Sequence, residues 1–596
     1  MKPAKFLSLI LAIILLLCAL PMTVSAAPDK GNTGVYDGML SYKIGRNGTV
    51  TITKCAQFTS GAVVIPAEID GAIVTSIGDY SFQHCVKITS VEIPPTVTEI
   101  GYSAFYGCVA LEEINIPDSV TKIEYGAFYN CKALKKADIA DLAAWCHTSL
   151  DGPYANPSHI TGELVVGGKA LTAVEIPQYV TKISGYTFYG CDKITSVSIP
   201  DGVTEIGECA FYGCQSLGEM NVSAAVTSIG EGAFSECYGL KVINVADGNT
   251  RYVNIKGNLV ERDTKMLIRG FDEGKIPSDG SVTNIGSYAF AGCKKLKEIT
   301  IPEAVTFISP SVFENCIELQ KATLPNSITF INASMFAGCE NLAEINVPES
   351  ITRIGVSAFR NCKALKKLDL PDSLEQIDGF AFAYSGLVSF ELPKSVKKLG
   401  EGAFDGCSKL LALNVEKGNG YYYSKNNCII KNGGKLIRGC KTSLIPADGS
   451  INEIATYAFS GTDKITAVVI TESIKNIGVG AFSGCDALKK VYYGGNDMAF
   501  RGIKIANDNE PLKNAELVTG TTVITDGKHY IEEESDKQFE DLIEDNLKGD
   551  GEGEDTPGGL KWWIWVIIGA AIVAVVAAVA VIVKRSGSKK EAETKE

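Results

Sequence analysis

A phenylalanine returns at one place in a repeated phrase of residues fourteen times, at Phe82, Phe105, Phe128, Phe188, Phe211, Phe234, Phe290, Phe313, Phe336, Phe359, Phe382, Phe404, Phe459 and Phe482. Most successive copies lie 23 residues apart. A fixed period of that size means stacked coils, because one unit cannot bury its own apolar face and needs a neighbour on each side. The unit reads I-P-x-x-V-T-x-I-G-x-x-A-F-x-G-C-x-x-L-x-x-I-x, and residues 93–115 match it at every fixed position.

Within a unit, Leu111, Ile114 and Ile116 follow L-x-x-L-x-L and end at a proline, as do Leu365, Leu368 and Leu370. That alternation predicts a short strand with its aliphatic side chains turned inward. After the proline, V-T-x-I-G predicts a second extended piece ended by a glycine such as Gly101. The spacing of Phe105, Cys108 and Leu111 predicts a helical turn on the outer face. The expected fold is a repeat solenoid, a leucine-rich repeat of 23-residue coils built from short β-strands plus helical turns and followed by one transmembrane helix.

The ends of the chain read as a membrane address. Residues 1–26 carry Lys2 and Lys5, an apolar run and Val24-Ser25-Ala26, the layout of a signal peptide. Residues 27–80 form an N-terminal cap with a first irregular coil, and residues 81–490 form the solenoid, with insertions near 140–172, 246–275 and 416–444. Residues 491–519 close it as a C-terminal cap, and 520–561 are an acidic, weakly apolar stalk. Trp562–Val583 has no charge and is long enough to cross a bilayer, with tryptophans at one edge and Lys584, Arg585, Lys589 and Lys590 after the other. Residues 584–596 are then a short cytoplasmic tail, and the expected localisation is a single-pass cell-membrane protein with an extracellular ectodomain.

Breaks in the rhythm carry information. Leu267-Ile268-Arg269-Gly270 and Leu436-Ile437-Arg438-Gly439 lie in two copies of one insertion, which reads as a hairpin grafted onto a coil. The third insertion holds Asp141-Leu142-Ala143-Ala144-Trp145-Cys146, a helical turn, and Val165-Val166-Gly167-Gly168-Lys169-Ala170, a two-residue hairpin. The A-F-x-G-C unit, these insertions and the closing Val491-Tyr492-Tyr493-Gly494 together resemble the BspA-like leucine-rich repeat surface proteins over residues 35–518. That resemblance implies a secreted or surface-attached protein used in adhesion to host matrix, host cells or other microbes, without implying a ligand.

The eighteen cysteines would suit a disulfide framework in an exported chain. Twelve of them occupy one slot, three residues after the phenylalanine, where stacked neighbours are spaced too widely for a bond. They are expected to be a ladder of buried thiols. No H-E-x-x-H, G-x-S-x-G, Walker loop or zinc-spaced C-x-x-C pair occurs, and the four histidines are scattered, so no enzyme, catalytic residue, metal site or cofactor is expected. A net charge of -13 without a basic stripe argues against nucleic acid.

What remains is the solvent side of the strands. The position before the last inward residue is Glu92, Asn115, Asp138, Glu175, Asn221, Asn244, Asn346, Asp369, Glu391 and Asn414, with serine or threonine in further coils and no lysine or arginine. Two readings stand: a solvated sheet face, or a polar groove for a basic protein surface, a glycan or a divalent cation. The expected function is a monomeric, membrane-anchored binding module or adhesin for a protein or glycan on a host or microbial surface. A structural spacer or surface coat, or a component of glycan or protein capture, are the alternatives.

Overall fold

The structure, a computed structural model, describes residues 33–520. The leader read at 1–26, the stalk beyond residue 520, the span Trp562–Val583 and the tail at 584–596 lie outside the described residues. Among the described residues no helix is long and apolar enough to cross a membrane.

The coils stack as the period requires. One ladder is built from strands of up to six residues, and the register Glu113↔Lys136, Ile114↔Ala137, Asn115↔Asp138 and Ile116↔Ile139 places equivalent residues of parallel strands side by side. A second ladder is built from two-residue strands such as Glu99–Ile100, Lys122–Ile123 and Lys182–Ile183. Isoleucines of both ladders point inward beside the phenylalanines, and Phe336, Phe359 and Phe382 stack with ring centroids 5.6 Å apart at each step. An antiparallel sheet, Thr33–Tyr36, Leu40–Ile44 and Val50–Cys55, begins the stack. Lys490–Tyr493 paired with Glu516–Thr519, beside the short helices Asp497–Arg501 and Glu510–Asn514, ends it.

The expected helical turn is absent from the repeat. The A-F-x-G-C segment is instead a run of tight turns, because two residues per coil sit in the left-handed region, two before and two after the phenylalanine. In the coil of Phe105 these are Ser103 at φ 49° and Gly107 at φ 72°. A left-handed residue stops an α-helix. The backbone then alternates: Ala104, Tyr106 and Cys108 donate within the coil, whereas Ser103, Phe105 and Gly107 donate to Tyr125, Ala127 and Tyr129 of the next coil at 2.8–3.0 Å. The outer face is therefore a hydrogen-bonded turn ladder.

The two copied insertions are three-stranded meanders rather than hairpins. Tyr252–Ile255, Asn258–Glu261 and Met266–Arg269 pair antiparallel, and the third strand then joins the short-strand ladder beside Asn284–Ile285. Tyr422–Lys425, Cys428–Lys431 and Lys435–Arg438 repeat the arrangement. In the third insertion, the helix Leu142–His147 is capped by Asp141, and Val165–Val166 pairs antiparallel with Lys169–Ala170.

Wherever an insertion displaces a coil, a side chain supplies the missing turn-ladder donors. Asn156 Nδ2 donates to the carbonyls of Tyr186 and Thr187, and Trp145 Nε1 also donates to Thr187. Arg269 Nη1 reaches the carbonyl of Ala291 at 2.9 Å, and Arg438 Nη1 reaches those of Tyr457 and Ser460 at 3.0 and 3.1 Å. Both arginines are buried. The glycine after each is obligatory, since a Cβ on Gly270 or Gly439 would run into the ring of Phe290 or Phe459.

The meanders also divide the interior into three apolar cores. In the middle strand of the first, Leu259 packs into the first core and Val260 into the second. In the second meander, Ile429 belongs to the second core and Ile430 to the third.

Candidate functional site

The seventeen described cysteines are free thiols, and all but Cys209 are buried. The repeat slot has a donor role that periodicity does not reveal: Cys108 Sγ lies 3.0 Å from the carbonyl of Phe82 and Cys131 Sγ 3.1 Å from that of Phe105. Burial pushes the thiols of Cys131, Cys191 and Cys237 up to about 12, so they stay protonated. Among the described residues no group of three His, Cys, Asp or Glu side chains could hold a metal ion.

The polar row of the long-strand ladder divides into three kinds of residue. Glu92, Asn115 and Glu175 are exposed, each on a strand of the ladder. Others are engaged laterally: Asn244 Nδ2 donates to Asn221 Oδ1 at 2.9 Å, Asn414 Nδ2 donates to Glu391 Oε1 at 2.7 Å, and Lys136 pairs with Asp138 at 3.2 Å. Two residues depart from expectation. Asn346 lies beyond the end of the strand Glu344–Ile345, and its side chain does what a strand would do, accepting from Leu324 N–H at 2.7 Å and donating to Leu324 C=O at 3.0 Å. In the next coil residues 365–370 form no strand, and Asp369 sits in irregular chain paired with Lys367.

The richer surface is one that the sequence reading passed over. On the turn face, tyrosines two or three residues before, or one residue after, the phenylalanine pack ring against ring from coil to coil. Tyr80, Tyr102 and Tyr125 form one row, with centroids 5.4 and 6.1 Å apart. Tyr106 and Tyr129 form a second at 5.5 Å. Tyr154 of the third insertion joins the rows, meeting Tyr125 at 6.1 Å and Tyr129 at 4.6 Å. His159 carries the array on to Tyr189, which stacks on Tyr212 at 4.7 Å. Tyr80, Tyr102, Tyr125 and Tyr129 are 38–50% exposed. The signal was available, for Tyr106, Tyr129, Tyr189 and Tyr212 fill one repeat position.

Carboxylates border these rings. Tyr186 donates its hydroxyl to Glu208 at 2.7 Å, and burial together with that bond pushes its phenol above the usual range. Burial and the nearby Glu236 do the same to Tyr212, and burial lowers His159, leaving its ring neutral at pH 7. The next coil shows what such rings accept: Lys294 Nζ lies 3.5 Å from the centroid of Tyr238.

A family model described as BspA type leucine rich repeat region, six copies, matches residues 65–145, 166–256, 271–385, 331–433 and 418–514. No curated protein matches the chain. Among solved structures, a leucine-rich cell surface protein of Faecalibacterium prausnitzii is 26% identical with a TM-score of 0.40, covering 80% of this chain and 99% of its own. A leucine-rich repeat protein of Bacteroides ovatus is 23% identical with a TM-score of 0.30, covering 82% and 99%. The pneumococcal vaccine antigen PcpA is 16% identical with a TM-score of 0.30, covering 83% and 100%.

Proposed function

The chain belongs to the BspA-type leucine-rich repeat family, and from that premise we propose that it is a cell-surface adhesin that binds a protein on a host or microbial surface. The exposed tyrosine array from Tyr80 to Tyr129 carries the reading. Single exposed aromatics are ordinary, but a contiguous patch marks an interaction surface, and tyrosine offers large contact area at small entropic cost. The chain's charge of -13 and the π-faces of the exposed rings favour a partner presenting lysine or arginine. In this reading the leader exports the chain and Trp562–Val583 holds it in the membrane.

The strand-face row is a second reading, supported by the exposure of Asn115, Asn221 and Asn244. It would serve a glycan or an extended peptide.

Cells displaying the full chain, tested on an immobilised lysine-rich protein, separate the two. The triple change Tyr102→Ser, Tyr125→Ser and Tyr129→Ser is expected to weaken adhesion about tenfold or more. Asn115→Ala with Asn221→Ala and Asn244→Ala is expected to leave it within about twofold. The reverse outcome moves binding to the strand face, and no effect from either set removes both.

A further inference from the structure

Across the coils of Phe82, Phe105 and Phe128 the aromatic rings stand in two rows. Tyr80, Tyr102 and Tyr125 form the first. The second begins with a histidine, because His84 packs edge-on against Tyr106 at 5.1 Å and Tyr106 stacks on Tyr129. The chain between the rows is buried: Ser103, Ala104 and Phe105 separate Tyr102 from Tyr106, and Gly126, Ala127 and Phe128 separate Tyr125 from Tyr129. Tyr154 touches both Tyr125 and Tyr129, so it bridges the rows at the third coil.

The chemistry of this strip is uniform. Tyr80, Tyr102, Tyr125 and Tyr129 are exposed, and their hydroxyls bond to no other described residue, which leaves four phenol donors for a ligand. Residues 79–86, 101–109 and 124–131 contain no lysine or arginine. Asp79 is exposed beside Tyr80, and its carboxylate accepts the Tyr102 N–H at 2.9 Å. No cation pairs with Asp79 among the described residues.

A ligand suited to this strip offers open carbonyls along its length, rings that pack against aromatic rings, and a repeat commensurate with the coils. A segment in the polyproline II conformation has no internal hydrogen bonds, so all its carbonyls are free, and it advances about 9.3 Å per three-residue turn. Backbone hydrogen bonds of the turn ladder hold successive coils near the sheet spacing of about 4.8 Å, so two coils advance about 9.6 Å. Prolines three residues apart therefore meet the strip first at the coil of Tyr80 and His84 and again at that of Tyr125 and Tyr129. A β-strand repeats each face after about 6.6 Å, which matches neither one coil nor two.

We propose that the strip between Tyr80 and Tyr129 binds a proline-rich segment of the partner in the polyproline II conformation, with a lysine or arginine beside the prolines meeting Asp79. The proposal rests on the tyrosine array being the adhesive surface. Aromatic-lined sites are a general means of holding such segments, because a preformed helix loses little entropy on docking.

The test measures fluorescence anisotropy of labelled peptides with the purified full chain. One peptide is a lysine followed by nine L-prolines; the other has the same composition with alternate prolines in the D form, which breaks the helix. The first is expected to bind saturably and the second about tenfold more weakly or worse. Tyr102→Phe with Tyr125→Phe keeps the rings and removes two donors, and is expected to weaken binding about tenfold. Asp79→Asn, which keeps an acceptor for the Tyr102 N–H, is expected to weaken it about threefold and to flatten its salt dependence. Equal binding of the two peptides, no binding by the wild type, or unchanged affinity in the double phenylalanine variant overturns the proposal. If the proline peptide fails while the triple change Tyr102→Ser, Tyr125→Ser and Tyr129→Ser still weakens adhesion to the lysine-rich protein, this inference alone falls. If that triple change also leaves adhesion intact, the adhesive role of the array falls with it.

Discussion

The hydroxyl of Tyr252 accepts the backbone N–H of Ile229 at 2.8 Å, and 170 positions on, Tyr422 does the same for Leu399 at 2.9 Å. Each ring thus finishes a short-strand ladder at the point where a meander begins. Tyr252→Phe keeps the ring and leaves that N–H unmatched, so it is expected to cost about 1–3 kcal/mol. Urea denaturation read by circular dichroism checks this; a change below about 0.3 kcal/mol would mean that water replaces the hydroxyl.

Asn346 and Asn115 occupy the same repeat position and do different things. Asn346→Ala breaks both bonds to the Leu324 backbone and is expected to destabilise by about 1–3 kcal/mol, whereas Asn115→Ala on an exposed strand face should fall within about 0.5 kcal/mol. Paired urea melts of the two variants make the comparison. Equal effects would return Asn346 to the solvent row.

Phe359 lies between Phe336 and Phe382, 5.6 Å from each. Phe359→Ala opens a cavity that stacked coils cannot collapse into and is expected to cost roughly 3–5 kcal/mol. Hydrogen exchange should show the loss concentrated in the coils around residue 359, since repeats interact chiefly with their neighbours. A uniform rise in exchange from residue 33 to 520 would contradict this.

Alkaline pH should weaken the fold through the thiols. Their folded values, about 12 for Cys131, Cys191 and Cys237 because of burial, lie above the value of about 8.5 expected when unfolded. Stability is therefore fully present below about pH 8.5 and is lost as pH rises towards 12, by up to about 1.4 kcal/mol per pH unit for each such thiol. The urea midpoint should be flat from pH 7 to 8 and fall steeply by pH 10. Cys131→Ala with Cys191→Ala should make that fall shallower; no difference would assign it to the tyrosines alone.

The period made the stack, the two extended pieces and the inward isoleucines legible, because each depends on side chains that recur. The turn ladder was hidden because its cause is backbone handedness, and at the left-handed position after the phenylalanine, residues as different as Gly107, Asn130, Glu236 and Tyr384 do the same work. Asn346 was misplaced for a related reason: nothing in its spacing distinguishes an amide facing water from one inserted into a ladder. Arg269 and Arg438 were visible as a copied motif, but their burial follows from carbonyls left open by the meander. The tyrosine rows are periodic, but periodicity alone does not tell an exposed, stacked ring from a buried one, so the array shows only once the coils lie side by side.

The middle strand of each meander shares its alternate side chains between two cores, Leu259 with Val260 and Ile429 with Ile430. Such a wall joins blocks mechanically while leaving each with its own apolar interior. In the adhesin proposed above, a pull along the chain between its anchor and a bound target would then be absorbed in instalments. One block can give way and lengthen the tether while the others hold their folds, so a strained attachment yields slack before it yields its grip.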